Sequence, residues 1–83
     1  MEGQQVGKVK HYFPKISVAV VELSHTIKVG DTIHIKGHTT DFKQKISSMQ
    51  IEHDKVNSAE AGQSIGLKVD EPVREHDLVY KAE

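Results

Sequence analysis

The 83-residue sequence contains no cysteine and no tryptophan, and it has only two prolines. The absence of cysteine excludes a disulfide framework and a thiolate zinc site, so stability must come from packing and a closed hydrogen-bond ladder. A chain of this length has room for one core and buries only about 60–65% of the surface that its unfolded form exposes. We therefore predict a single domain over residues 1–83, with a core from about residue 6 to residue 82.

Long apolar segments are also missing. The longest apolar run, residues 18–21, has four residues, far fewer than the roughly 20 that a membrane-spanning helix needs. A basic segment followed by an apolar one, which would indicate a secretory signal, is not seen. The phosphate-binding pattern GxxxxGK[ST] does not occur either. These absences predict a cytoplasmic protein that has no membrane partner and binds no nucleotide.

Charge of one sign is not in excess, since 11 basic residues stand against 12 acidic ones. A general nucleic-acid or membrane binder normally shows a basic excess, so the near-neutral balance argues against that class. The distribution is uneven, because residues 56–83 carry three basic and six acidic side chains. The asymmetry is modest and indicates an ordinary solvated surface.

What the sequence does contain is alternation of apolar and polar residues with a period of two, which is typical of β-strands. Residues 16–24 are rich in β-branched side chains, and residues 32–36 place two isoleucines on one side. Turn signals separate about six such runs. We predict an all-β fold, a small six-stranded closed antiparallel β-barrel, because closure removes strand edges that promote aggregation.

Two segments need a separate interpretation. Between residues 43 and 53 the alternation changes phase, since Ile46 is out of register with Met49 and Ile51. Ser47 and Ser48 lie at the change, which predicts a β-bulge there. Residues 56–63 could form one helical turn, but this is too short to be a stable helix, so we predict a loop that ends in a glycine turn.

Four short motifs occur in a characteristic order at residues 6–9, 27–33, 61–67 and 75–80. In this respect the chain resembles the β-barrel second domain of the translational GTPases, such as elongation factor Tu. The resemblance implies a Greek-key barrel. The chain is even more similar to the small barrels at the C-terminus of collagenase-type peptidase-like proteins, some of which modify RNA. Residues 48–51 carry this second resemblance.

The motifs of the resemblance contain the residues expected to shape the turns. These structural residues are Gly7, Gly30, Asp31, Gly62, Gly66 and Asp77. Glycine at positions 30 and 62 can take a positive φ without steric cost. His76 stands where the family usually has glycine, and histidine is among the residues that tolerate the left-handed region.

A possible RNA-contacting surface is basic. Lys8, Lys10 and Tyr12 alternate onto one face of the first strand, and Lys43 and Lys45 do so near the fourth. If these strands are neighbours, they form a lysine stripe with an aromatic ring, suited to a phosphate backbone and a stacked base. The favoured expectation is thus a non-catalytic binding module resembling the translation-factor domain, with RNA or a ribonucleoprotein as its partner.

The resemblance implies a further role that we do not transfer to this chain. The elongation factor's second domain helps to hold the aminoacylated end of a transfer RNA. The pocket residues of the factor are not reproduced in residues 49–53, and the carboxylates of Glu52 and Asp54 would repel phosphate.

Two other classes of function remain open. The chain could be a protein-interaction or structural barrel that docks a larger protein partner through Ile16, Phe42 or the acidic C-terminal strand. A metal site is the other alternative, since His34 and His38 would share a strand face if the strand runs that far. Lys36 between them disfavours a cation, and a third ligand would have to come from another strand.

A hydrolytic triad can be assembled only poorly from Ser47 or Ser48 with His53 and Asp54. Adjacent residues of a strand point to opposite faces, so Asp54 would not easily orient the imidazole of His53. A nucleophile elbow does not surround either serine. We therefore expect that the protein is not an enzyme and that it needs no cofactor.

Overall fold

The computed structural model describes residues 3–52 and 54–82. Within them the chain forms ten strands: β1 (Gln5–Phe13), β2 (Val18–Leu23), β3 (Ile27–Lys28), β4 (Thr32–Lys36), β5 (Asp41–Lys45), β6 (Met49–Ile51), β7 (Asp54–Val56), β8 (Ser58–Ala59), β9 (Ser64–Lys68) and β10 (Leu78–Lys81). Eight of them form one antiparallel sheet in the order β5-β4-β10-β1-β2-β9-β6-β7, and β3 pairs with β8. The large sheet curls strongly into a half-barrel.

The prediction of an all-β antiparallel fold is confirmed, whereas the closed six-stranded barrel is wrong. The segment that we interpreted as one bulged strand over residues 43–53 is divided between strands at opposite ends of the sheet. Strand β5 pairs with β4, while β6 pairs with β9 and β7. The chain crosses between them through the buried Ile46, whose N–H donates to the carbonyl of Asp31 at 2.9 Å. The change of phase at Ser47 and Ser48 therefore marks a change of strand and not a bulge.

The segment predicted as a loop over residues 56–63 also differs from the structure. It contains β8, which pairs with β3 as a separate two-stranded ladder. Such two-residue strands are too short to give a recognisable alternation of apolar and polar residues. The pair adds a small second ladder beside the half-barrel.

A real bulge does occur in β1, where the register with β2 shifts between Val9 and His11. Lys10 is the extra residue, and a bulge of this kind reverses the sides to which the following side chains point. Val9 is accordingly buried, whereas Phe13 is exposed and Tyr12 packs against the core. The expectation that Lys8, Lys10 and Tyr12 share one face is therefore wrong.

The core is built mainly from aliphatic side chains on the concave side of the sheet. Its largest fully buried members are Val6, Val9, Val21, Ile27, Ile33, Ile35, Ile46, Met49, Ile65, Leu67 and Val79. Burial of one such side chain contributes roughly 1.5–3 kcal/mol. Because the cysteine-free chain has no covalent staple, this packing carries most of the stability of the half-barrel.

Within residues 3–52 and 54–82, no helix is both long enough and apolar enough to cross a membrane. The cytoplasmic location and the extent of the domain stay predictions.

Candidate functional site

An apolar groove crosses the convex face of the half-barrel over β1, β2, β9 and β6. Its volume is about 290 Å³. The residues that form its floor and its apolar wall are Phe13, Ile16, Val18, Val20, Gln50 and Gly66. Ile16 is 57% exposed and Phe13 is 43% exposed. Large apolar side chains grouped on a surface in this way are typical of an interaction site. We call this feature the outer groove.

The floor of the outer groove is set by the register of three strands. Val20 on β2 lies opposite Gly66 on β9, and Gly66 in turn lies opposite Gln50 on β6. Glycine therefore leaves a furrow between two side-chain-bearing neighbours. A Cβ atom added at Gly66 would lie 3.3 Å from Cγ1 of Val18, so a larger residue would fill the furrow.

The turn between β1 and β2 holds Ile16 out at one end of the outer groove. The N–H of Ile16 donates to the carbonyl of Phe13 at 3.3 Å, and Nζ of Lys68 donates to the carbonyl of Ile16 at 3.2 Å. Ser17 has φ of 55°, a left-handed conformation that costs a serine about 1 kcal/mol. Its carbonyl accepts a hydrogen bond of 2.9 Å from the N–H of Val69. Hydrogen bonds from Lys68 and Val69 thus hold the backbone of the turn that carries the exposed Ile16.

The opposite end of the outer groove is acidic. Glu52, in the turn between β6 and β7, is exposed and has φ of 50°. It lines the groove together with Ser64, which lies opposite Glu22. The carboxylate of Glu22 is 3.8 Å from Nζ of Lys10. The groove therefore has an apolar end and an end that carries negative charge.

The predicted lysine stripe is not formed. Strands β10 and β4 lie between β1 and β5, so Lys8 and Lys10 are separated from Lys43 and Lys45 by two strands. Lys10 sits on the bulge beside Glu22, and Tyr12 packs against the core. The five predicted residues are not brought together on one surface.

The histidines that suggested a metal site lie in different surroundings. His34 on β4 is 5% exposed and lies opposite Lys43 and Tyr80. Its Nε2 forms a hydrogen bond with the carboxylate of Asp41, while His38 lies beyond the end of β4. In the part of the chain that the structure describes, no three His, Cys, Asp or Glu side chains are grouped so as to hold a metal ion.

The pairing of His34 and Asp41 changes the acidity of the carboxyl group. The hydrogen bond from His34 lowers the pKa of Asp41 below its usual range. The positive charges of His34, Lys36 and Lys43 act in the same direction, while desolvation opposes them. The pair joins β4 to the edge strand β5 on the face that carries the lysines of that strand.

The residues considered for a hydrolytic triad are not all described. Ser47 and Ser48 lie in the crossing between β5 and β6, and Asp54 begins β7. His53 lies outside the described residues. The backbone carbonyl of Ser48 accepts a hydrogen bond of 3.3 Å from the N–H of Lys68, which ties the crossing to β9.

The residues predicted to shape turns have identifiable contacts. Gly30, Gly62 and His76 have φ of 99°, 89° and 75°. The Asp31 carboxylate accepts a hydrogen bond of 3.1 Å from the N–H of Lys28. These residues form turns away from the outer groove.

Asp77 and Gly7 act at the neighbouring strand ends. The buried Asp77 carboxylate accepts a hydrogen bond of 2.8 Å from the N–H of Arg74. At Gly7, an added Cβ would lie 2.7 Å from Cγ1 of Val21. Of the six predicted structural residues, Gly66 is the one that also lines the outer groove.

Most of the outer groove was not found by sequence reasoning. Ile16 was named as a possible protein contact, but Phe13 and Val18 were assigned to strands without a surface role. The available signal was the cluster of apolar residues on both sides of Pro14. Without the bulge, the alternation that buries Val9 would also bury Phe13, so the sequence pattern conceals the cluster.

Comparison with known proteins gives similarity along most of the chain. A scan of protein-family models finds no match. The chain is 44% identical over 77 residues, 92% of its length, to an uncharacterised protease of Methanocaldococcus jannaschii. It is 38% identical over 78 residues, also 92% of its length, to a collagenase of Porphyromonas gingivalis. The aligned parts are 19% and 22% of those proteins, so the chain spans about a fifth of the curated relatives it matches.

Two solved structures share the fold. Both are crystal structures of the C-terminal domain of a Geobacillus thermoleovorans protein assigned as a U32 peptidase, one of them a selenomethionine variant. The TM-scores are 0.91, over 96% of this chain and 93% of the other, and 0.89, over 94% and 99%. Sequence identity is 23% in both cases, so this likeness concerns the fold. The fold is that of the small β-barrel-like C-terminal domain of such proteins.

These findings correct the functional expectation. The resemblance to the barrels of collagenase-type proteins is supported, whereas the comparisons do not specifically support the one to elongation factor Tu. The expectation of a non-catalytic, translation-factor-like binding module is wrong, because the relatives are named as a protease and a collagenase. For the same reason the expectation that the protein is not an enzyme is wrong. The names point to a peptidase-family protein. RNA, a ribonucleoprotein or a protein as its partner stays a prediction.

Proposed function

We propose that this chain acts in peptide-bond hydrolysis, as the barrel of a peptidase-family protein that holds the polypeptide to be cleaved. The observation that carries the proposal is that the similarity to proteins named protease and collagenase extends over 92% of the chain. We assign the cleavage itself to the whole protein, since the relatives are about five times longer than the aligned part. The contribution of this chain is to bind the substrate.

The outer groove supports this assignment because its shape suits an extended chain. It is open at the surface, and its apolar wall offers Phe13 and Ile16 to side chains of a bound polypeptide. Burial of apolar surface contributes about 25 cal/mol per Å². An unfolded polypeptide offers such side chains repeatedly, whereas a folded protein keeps most of them in its core.

The first test is binding of unfolded polypeptide by the 83-residue chain. Gelatin and carboxymethylated casein with a fluorescent label are titrated with the chain, and polarisation is followed. We expect saturable binding, weakened about tenfold by Ile16→Glu because a carboxylate replaces a contacting apolar side chain. Val29→Glu is the matched control, since Val29 is also apolar and exposed but lies outside the outer groove.

The second test is hydrolysis in a longer protein. The aligned part of the P. gingivalis collagenase is exchanged for this chain, and gelatin cleavage is measured with and without Ile16→Glu. Loss of a substrate contact that persists in the transition state raises KM and leaves kcat unchanged. The proposal is overturned if the wild-type chain binds no unfolded polypeptide, or if Ile16→Glu changes neither the binding nor KM.

A further inference from the structure

The outer groove is chemically asymmetric along the direction of its strands. The rows Val20–Gly66 and Glu22–Ser64 are two residues apart on β2 and β9. The first row contains the furrow over Gly66, and Glu52 lines the groove with Ser64 of the second row. A ligand that lies along the groove therefore contacts an apolar depression at one row and a carboxylate at the next row.

The two ends of the outer groove carry charges of opposite sign. At the apolar end, Nζ of Lys68 donates to the carbonyl of Ile16 at 3.2 Å and places a positive charge there. At the other end, the charge of Glu22 is balanced by Lys10 at 3.8 Å. Glu52 is exposed, and it takes part in no salt bridge among residues 3–52 and 54–82. Its carboxylate is thus the charge that a cationic ligand group would meet.

The distance between these features fits an extended polypeptide. Two residues along a strand span about 7 Å, which is the separation of the Val20–Gly66 row from the Glu22–Ser64 row. In an extended chain, side chains two positions apart point to the same side with the same spacing. One ligand side chain can therefore enter the furrow while the side chain two positions further along the ligand reaches Glu52.

We propose that the outer groove recognises an apolar and a basic side chain two positions apart in an extended polypeptide, with the apolar one over Gly66 and the basic one at Glu52. This specificity rests on the proposed function, since it assumes that the groove holds polypeptide. It makes Gly66 and Glu52 the residues that determine which segments bind.

The test compares three capped octapeptides. The second differs from the first in one residue, and the third differs from the first only in the position of one residue. One has Leu and Lys two positions apart, one has Glu in place of that Lys, and one has Leu and Lys adjacent. We expect the first to bind about two- to fivefold more tightly than either of the others, the range of an exposed ion pair. The preference falls as salt is raised from 20 to 300 mM, because exposed charges are screened.

Two variants of Glu52 locate the preference. Glu52→Gln keeps a side chain of the same size at the same φ, and we expect it to bind the Lys and Glu peptides equally. Glu52→Lys is expected to reverse their order. Gly66→Ala fills the furrow, and we expect it to weaken all three peptides while the preference for Lys over Glu remains. Circular dichroism establishes that each variant is folded.

The outcomes separate this inference from the proposed function. If gelatin and the peptides bind but the Lys and Glu peptides do so equally, or Glu52→Gln leaves their ratio unchanged, the specificity is overturned and the proposed function stands. If no polypeptide binds at all, the proposed function fails, and the specificity fails with it.

Discussion

Gln44 and Asp70 are joined by a hydrogen bond of 2.8 Å, in which the backbone N–H of Asp70 donates to Oε1 of the Gln44 side chain. Nε2 of the same amide donates to the carbonyl of Lys68 at 2.9 Å. Gln44 is buried on the edge strand β5, and residues 68 and 70 lie at and beyond the end of β9. One side-chain amide therefore links two sides of the half-barrel that the strand order leaves unpaired.

We expect Gln44→Leu to lower the free energy of unfolding by about 1–2 kcal/mol, because it removes two part-buried hydrogen bonds, one to the carbonyl of Lys68 and one from the N–H of Asp70. Urea unfolding at 25 °C measures the change. Gln5→Leu is the matched control, since Gln5 is exposed, and it should stay within about 0.5 kcal/mol of the wild type. Equal destabilisation by the two substitutions would show that the Gln44 link does not stabilise the fold.

Close packing at Gly7 gives a second stability prediction. A Cβ atom there would lie 2.7 Å from Cγ1 of Val21 and 3.0 Å from the carbonyl of Glu22. Gly7→Ala should therefore cost about 1–3 kcal/mol through overpacking. Gly66→Ala, with its nearest contact at 3.3 Å, should change stability much less. Thermal unfolding of both variants compares them, and a smaller loss for Gly7→Ala would contradict the packing argument.

The last turn offers a stabilising substitution. His76 has φ of 75° and donates its N–H to the carbonyl of Val9 at 2.8 Å. His76→Gly removes the left-handed strain and should raise stability by up to about 1 kcal/mol, reduced by the greater entropy of glycine in the unfolded chain. Glu75→Gly carries the same entropy cost without relief of strain, so it should destabilise. Urea midpoints that move in the same direction for both would refute this account.

A titration tests the pairing of Asp41 with His34. The hydrogen bond from His34 lowers the folded-state pKa of Asp41 from 3.8. The ionised Asp41 therefore stabilises the fold above about pH 3.8, and this contribution is lost as the pH falls through the lower folded-state pKa. We expect the side-chain carboxyl carbon of Asp41 to titrate below pH 3.8 by NMR, and to titrate higher in His34→Asn. An unchanged midpoint in that variant would exclude His34 as the main cause.

Part of the candidate site followed from the sequence, and part did not. Ile16 is among the residues that the sequence analysis names as a possible protein contact, and it lines the outer groove. The outer groove also needs Gly66 and Gln50, which approach it only through the pairing of β2 with β9 and of β9 with β6. These contacts join residues far apart in the chain, and alternation along one strand holds no information about its neighbours.

The lysine stripe failed for two physical reasons. The bulge at Lys10 turned Tyr12 toward the core, and two strands separated Lys8 from Lys43. A bulge inserts one residue without a distinctive sequence signature, yet it reverses the face of every residue that follows in the strand. The functional expectation was corrected by the comparison with relatives. The fold by itself does not distinguish one function from another.

The sequence by itself determined that the protein is all-β and antiparallel, because period-two alternation and frequent turn residues permit little else in a short chain without cysteine. It also marked the inward positions of β4, where Ile33 and Ile35 are fully buried. Only the tertiary structure decided the strand order, the division of residues 43–53 between two sides of the sheet, and the outer groove. Those features depend on which edges meet when the sheet curls, and that is a property of the whole packed chain and not of any one segment.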